Sequence, residues 1–211
     1  MTKNLIKNTT IAPILTCDQL FSSGITPVSI KIFPHDRIGI SGHSGSGKSR
    51  LLRLICDLDP HQGEMLLNGK NYRNIEANLW RQQIALLPAT SQWWHEEILN
   101  HFSTPPDKQL LDQLNLTNDI LSNPIHRLSS GEKQRLAILR LISQQPSLLL
   151  LDEPTANLDK DNVTAVENLL VHYCKTNHAA LIIVSHDQTQ LQRLCQQIYQ
   201  MNQGTLTVTE K

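Results

Sequence analysis

An α/β fold, a mostly parallel sheet covered by helices and joined to a smaller antiparallel β portion, is what this sequence predicts, and three observations predict it. Short, continuous apolar runs at 148–151 and 179–184 read as parallel strands buried on both faces. Helical patterns alternate with such runs, beginning at Lys48, near Ser130, near Lys160 and near Asp187. A segment rich in glycine and serine, Gly42-His-Ser-Gly-Ser-Gly-Lys48-Ser49, falls where a strand pattern gives way to a helical one.

The strands predicted in order are 14–20, 28–32, 37–41, 65–67, 83–87, 148–152, 181–185 and 197–201. Turn signals at Ser22-Ser-Gly and Asn68-Gly fold the early strands into an antiparallel unit. A helix over 48–56 follows the 37–41 strand. The stretch 93–127 departs from this rhythm. Pro105-Pro106, Pro124 and a polar helical segment at 107–114 mark it as a small helical insertion between two strands of the main sheet. The 211 residues therefore read as one domain: about 1–92 and 128–211 form the core with its β subdomain, and about 93–127 the helical subdomain.

Composition narrows the function. Nineteen Lys and Arg balance nineteen Asp and Glu, so no basic surface for nucleic acid or anionic lipid is advertised. Cys17, Cys56, Cys174 and Cys195 lack metal-ligand spacing. With no signal peptide expected in Met1-Thr-Lys-Asn-Leu, they read as reduced thiols in a cytosolic protein. The apolar runs are too short to span a bilayer, so a membrane role requires a partner.

Gly42 to Ser49 spells G-x-x-x-x-G-K-[ST]. Taken bare it is also a Gly/Ser-rich turn, but strand before and helix after are the context that the phosphate-binding motif demands. The glycines let the backbone curl so that successive N–H groups converge on phosphate oxygens, and the positive end of the helix adds to them. Gly42, His43, Ser44, Gly45, Ser46, Gly47, Lys48, Ser49 and Arg50 are the expected nucleotide-binding residues. Lys48 reaches the β- and γ-phosphates, and the Ser49 hydroxyl is an expected Mg²⁺ ligand.

A second segment, Leu148-Leu-Leu-Leu-Asp152-Glu153, delivers Asp152 at the carboxyl end of a strand, where open α/β sheets bind ligands. By itself it is equally a strand ended by the turn at Pro154. Beside a P-loop, Asp152 is expected in the magnesium shell, and Glu153 is expected to orient and polarise the attacking water. The third segment, Arg127-Leu-Ser-Ser-Gly-Glu132, opens a helix. Its serines make an ordinary N-cap, and they also build a second anion site of hydroxyls and free N–H groups. One nucleotide needs one P-loop, so Ser129, Ser130, Gly131 and Glu132 point to the nucleotide of another subunit, in a two-fold dimer that buries two ATPs.

With these segments in this order, the chain resembles, over nearly its whole length, the nucleotide-binding subunit of an ATP-binding-cassette (ABC) transporter. Leu128-Ser-Ser-Gly-Glu132 resembles the family signature LSGGQ, with Ser130 for Gly and Glu132 for Gln. Ala156-Asn-Leu-Asp159 is similar to the D-loop that crosses the dimer interface, and His186 to the switch histidine that contacts the γ-phosphate. The resemblance implies the P-loop NTPase fold of ABC ATPases, with an antiparallel β subdomain and a short α-helical subdomain. It implies ATP and Mg²⁺ as ligands, Lys48, Glu153 and His186 as catalytic residues, and hydrolysis coupled to transport. It further implies a homodimer in the ATP-bound state and a separate polytopic membrane subunit. The place is then the cytoplasm, peripheral on the inner face of the cell membrane.

Two positions depart from the family pattern. The aromatic residue that usually stacks on adenine is matched only by Phe21 in Leu20-Phe-Ser-Ser-Gly-Ile25, where a core role serves equally well. The Pro-Gln pair that usually follows the family's fifth strand is Pro88-Ala89 here, and the nearest amide, Gln92, is the candidate substitute as a contact to the metal shell. Trp93-Trp94 beside it suits a groove for a membrane-subunit helix, or packing within the insertion. Soluble cassette proteins of ribosomes or DNA carry tandem cassettes, coiled-coil insertions or basic arms, which this chain lacks. A regulatory ATP-binding module is the other alternative: Ala89 favours it, and Glu153 and His186 oppose it. The cargo suggested by resemblance to small bacterial two-component exporters is metal- or iron-linked.

Overall fold

The structure is a computed structural model and describes residues 11–209. In chain order it contains β1 (Leu15–Ser22), β2 (Ile25–Ile32), β3 (Arg37–Ser41), α1 (Lys48–Ile55), β4 (Gln62–Leu67), β5 (Lys70–Asn71), α2 (Ala77–Gln83), β6 (Ile84–Leu87), α3 (Lys108–Gln113), α4 (Ser130–Ile142), β7 (Leu148–Asp152), α5 (Lys160–Thr176), β8 (Ala180–Val184), α6 (Gln188–Leu194), β9 (Gln197–Asn202) and β10 (Thr205–Val208). They form two sheets, ordered β2-β1-β4-β5 and β10-β9-β3-β8-β7-β6. The first is antiparallel throughout. The second is parallel except for β10, which pairs antiparallel with β9.

The expected fold class is present, and the pleat explains why its central strands read as unbroken apolar runs. Every residue of β7 and β8 is buried. Leu149, Leu151, Leu181 and Ile183 join the core shared with α4, α5 and the segment after β6. Their neighbours Leu148, Leu150, Ile182 and Val184 join the core on the other face, with α1 and the antiparallel sheet. Alternate residues therefore serve opposite layers.

Register then fixes one edge of the sheet. Leu87 lies beside Leu151, Asp152 beside Val184, and Ile40 beside Val184. The carboxyl ends of β3, β6, β7 and β8 thus open along one line, the expected binding edge of such a sheet.

Differences from the sequence-based ranges have local causes. β2 begins at Ile25 and runs through Pro27, which is tolerated because β2 is an edge strand. β4 begins at Gln62 and passes Gly63, whose φ is +96° and where a Cβ would fall 2.2 Å from the Gln19 carbonyl oxygen. Gln83 ends α2 rather than opening a strand, and its Oε1 accepts the Ser147 hydroxyl at 2.7 Å. The segment 93–127 holds α3 and single 3₁₀ turns at Ile98–His101, Asn118–Ser122 and Ile125–Arg127. The four cysteines are buried, and burial pushes the Cys17 and Cys174 thiols up to about 12 and that of Cys56 to about 11. The opening Met1-Thr-Lys-Asn-Leu, on which the leader expectation rests, lies outside the described residues, as do residues 1–10 of the first domain segment. Among the described residues no helix is long and apolar enough to cross a membrane.

Candidate active site

The loop from β3 to α1 is built by glycines at positive φ. Gly42, Gly45 and Gly47 have φ of +147°, +76° and +110°. A Cβ on Gly42 would lie 2.3 Å from the Met201 carbonyl oxygen, so only glycine lets the loop pass β9 there. Gly47 is the N-cap of α1, with no side-chain cap and no acidic residue in the first turn. The first N–H groups of α1 are left for an outside anion. Lys48 folds back over the loop, and its Nζ donates to the carbonyls of Gly42 (2.7 Å) and His43 (2.9 Å).

Against this loop lies a cavity of about 360 Å³ lined by Ser44, Gly45, Gly47, Lys48, Ser49, Arg50, Ala89, Asp152, Glu153 and His186. Gly42 and His43 contribute carbonyls to Lys48 rather than a wall, and Ser46 is buried with its Oγ unpartnered among the described residues. The hydroxyl of Ser49 and the carboxylate of Asp152 are hard oxygen donors of the kind Mg²⁺ takes alongside substrate phosphates. Among the described residues no cluster of three or more His, Cys, Asp or Glu could hold a metal.

Glu153 sits in the left-handed region with φ +50°, a conformation uncommon outside glycine. Its N–H donates to the Val184 carbonyl (3.0 Å), extending the β7–β8 ladder by one residue and turning the side chain over the cavity. Glu153 Oε1 is buried and has no hydrogen bond among the described residues, while His186 Nε2 stands 3.4 Å away. Burial raises the Glu153 carboxyl above its ordinary range, and His186 pulls in the other direction.

Gln92 is not brought to this cavity. Pro88 ends the edge at β6, Ala89 forms the wall, and the exposed Gln92 side chain turns to the Thr90 carbonyl at 3.5 Å. The loop bends at Ala89 and Thr90, and in this arrangement the amide stands apart from the cavity lining. The tryptophans divide. Trp93 packs on the core, whereas Trp94 is 66% exposed. The Arg140 guanidinium of α4 lies 4.4 Å from the Trp93 ring centre and 5.0 Å from that of Trp94, and donates to the Gln92 carbonyl at 3.1 Å. Phe21 is half-buried in a neighbouring cavity of about 570 Å³ that shares Arg50 with the P-loop cavity.

Ser129, Ser130, Gly131 and Glu132 lie elsewhere, at the start of α4. Ser129 is the N-cap: its Oγ accepts from Glu132 N–H (3.2 Å). Glu132 Oε2 in turn accepts from Ser129 N–H (2.8 Å) and Oγ–H (2.7 Å), a reciprocal capping box. Those two bonds hold the Glu132 carboxyl below its usual range. Gly131 faces the D-loop segment, where a Cβ would meet Leu158 Cδ2 at 3.2 Å. Arg135, buried one turn further, donates to the carbonyls of Leu114 and Asn115 and to Asn162 Oδ1 (2.6 Å), locking α3 and α5 to α4. Sequence reasoning missed this arginine and the buried Gln190. Gln190 left a faint signal, a polar residue on the face of α6 that also carries the buried Leu191 and Leu194.

A glycine loop on a helix start, with a strand-end aspartate, a glutamate and a histidine converging on it, defines a P-loop nucleoside triphosphatase. Residues 25–156 match the model of the family described as ABC transporter, and the chain belongs to that family, as an ATP-binding, ATP-hydrolysing subunit. It is 30% identical over 164 residues to the probable iron export ATP-binding protein FetA of Escherichia coli (strain K12), covering 72% of this chain and 73% of the relative. It is 32% identical over 202 residues to the phosphate import ATP-binding protein PstB of Aeropyrum pernix, covering 84% and 80%. A solved ATP-binding subunit of an ABC transporter has the same fold, with TM-score 0.83 at 20% identity over 93% of this chain and 89% of that one.

Proposed function

We propose that this subunit binds ATP with Mg²⁺ on the loop 42–49 and hydrolyses it in a homodimer, driving a separate polytopic membrane subunit from the inner face of the membrane. The observation that carries the reading is the convergence of Lys48, Ser49, Asp152, Glu153 and His186 on one cavity. Ser49 and Asp152 would hold the metal, which supplies positive charge against the phosphate oxygens. Lys48 exchanges its two loop carbonyls for phosphate oxygens, a gain in charge complementarity. Glu153, on the cavity wall, accepts a hydrogen bond from the attacking water through its carboxylate, with His186 Nε2 held 3.4 Å from its Oε1.

Support for the dimer is that the start of α4 is absent from the lining of the chain's own cavity, so Ser129 and Gly131 are available to a partner's γ-phosphate. The exposed Trp94, beside a groove of about 540 Å³ that includes His95, Leu99 and Leu121, supports docking of a membrane-subunit helix there. Metal-linked export is the cargo reading, supported by the likeness to the relative named for iron export. Affinity capture from native membranes tests the whole proposal. A co-purifying polytopic protein is expected; ribosomes or nucleic acid in its place overturn it.

A further inference from the structure

One buried amide outside the cavity touches both of the loops that aim side chains into it. Gln190, on α6, is 1% exposed. Its Nε2 donates to Thr155 Oγ1 (2.9 Å) and to Glu167 Oε1 (3.0 Å), and its Oε1 accepts from Ser185 Oγ (2.9 Å). Ser185 Oγ also accepts from Asp187 N–H (3.1 Å), and Asp187 Oδ1 accepts from Gln190 N–H (3.0 Å), which closes the turn around His186. Thr155 stands two residues after Glu153, and Ser185 immediately precedes His186.

The chemistry of the site requires an amide. Glu167 is held on its far side by Arg193, which donates from Nε (2.9 Å) and Nη2 (2.6 Å), so the carboxylate is acceptor-only and must meet an N–H of Gln190. That fixes the amide orientation and turns its oxygen to the Ser185 hydroxyl. Every polar atom is then satisfied, as a group this buried must be. Glu153, by contrast, has a left-handed backbone, and among the described residues its buried Oε1 has no hydrogen bond and faces only His186 Nε2 at 3.4 Å, so its aim depends on the loops that carry Glu153 and His186.

We propose that Gln190 is a positioning residue for ATP hydrolysis: by joining Thr155 to Ser185 it sets the separation and aim of Glu153 and His186. It lines no part of the cavity. The proposal rests on the reading of Glu153 as the water-orienting group.

Gln190→Met keeps length and burial but removes both ends of the amide. A displacement of about an ångström in a catalytic group costs on the order of 10²-fold in rate, so kcat is expected to fall about 10- to 100-fold, with the Kd for ATP unchanged within about twofold. Thr155→Val cuts one arm and lowers kcat less, and adding it to Gln190→Met brings no further loss, because the two share one link. Arg193→Met severs the α5–α6 end of the same network without touching either loop. It is expected to lower Tm while leaving kcat within about twofold. Unchanged kcat in both Gln190→Met and Thr155→Val overturns the proposal. So does an equal kcat loss in Arg193→Met and Gln190→Met at matched Tm. In a Glu153→Gln background Gln190→Met should have no further effect, whereas wild-type turnover by Glu153→Gln itself rejects the parent reading instead.

Discussion

Two helices of this chain begin on loops of serine and glycine, and they treat their exposed N–H groups in opposite ways. α1 starts at Gly47 with no side-chain cap, behind glycines at φ +76° and +110°. α4 starts at Ser129 with both halves of a capping box in place. The first is an anion site left open, and the second already holds an anion, the Glu132 carboxylate, at 2.7 and 2.8 Å from Ser129. Both departures from the signature pattern are accommodated by this geometry. Ser130 takes ordinary helical geometry, so no glycine is needed for backbone reasons. Glu132 supplies a charge that glutamine would not. A phosphate reaching α1 meets donors in waiting, whereas one reaching α4 competes with the chain's own carboxylate.

The comparison can be broken at several points, the largest first. Glu153→Gln is expected to lower turnover by about 10²- to 10⁴-fold while ATP binding persists, read by single-turnover hydrolysis against equilibrium binding. Lys48→Met removes the charged donor of the open site and should weaken ATP about 10- to 100-fold, as the loss of a charge-assisted bond does; binding calorimetry measures it.

At the capped helix the effects are smaller and fall on stability. Ser129→Ala should cost about 1 kcal/mol, seen in the denaturant midpoint, whereas α1 has no equivalent cap to lose. Glu132 has a depressed carboxyl pKa, so its contribution is present above the unfolded value and is lost as pH falls through the folded one. Glu132→Gln should flatten that acid-side loss and tighten ATP-dependent dimerisation, checked by pH-resolved melts and analytical ultracentrifugation.

His186→Ala sharpens the other side. Glu153 is raised by burial and pulled back by His186, so removing the imidazole should move the acid limb of the rate profile to higher pH. The smallest effect is expected of Gln92→Ala, whose side chain reaches only the Thr90 carbonyl; its steady-state ATPase rate should stay within about twofold of wild type.

What the sequence made legible follows the strength of its local signals. The P-loop and the strands at 37–41 and 148–152 lie where periodicity and glycine spacing place them, because a doubly buried strand and a phosphate loop have few alternatives. The Asp107 helix start is also real, with Asp107 Oδ1 accepting from Leu110 N–H at 2.8 Å. Pairing of Thr205–Val208 with β9 escaped notice, since a four-residue edge strand carries no apolar run of its own. Gln92 stands outside the cavity lining, and nearness in sequence says little about where a loop side chain turns. Gln190 and Arg135 escaped for a deeper reason. Beside one near neighbour each, their partners Leu114, Asn115 and Asn162, and Thr155 and Glu167, lie 20 or more residues away, and only tertiary packing brings a lone polar side chain to them.

Arg140 and Ser129 belong to one rod. α4 has 13 residues, and it carries the capped serine at one end and, near the other, the guanidinium that the two tryptophans cover. At 1.5 Å per residue the rod is ~20 Å long, so a tilt of about 10° about its middle moves each end by roughly 1.7 Å. Arg135, near the middle of the rod, ties it to the end of α3 and to α5. The indoles and the serine hydroxyl are therefore gripped by opposite ends of one helix.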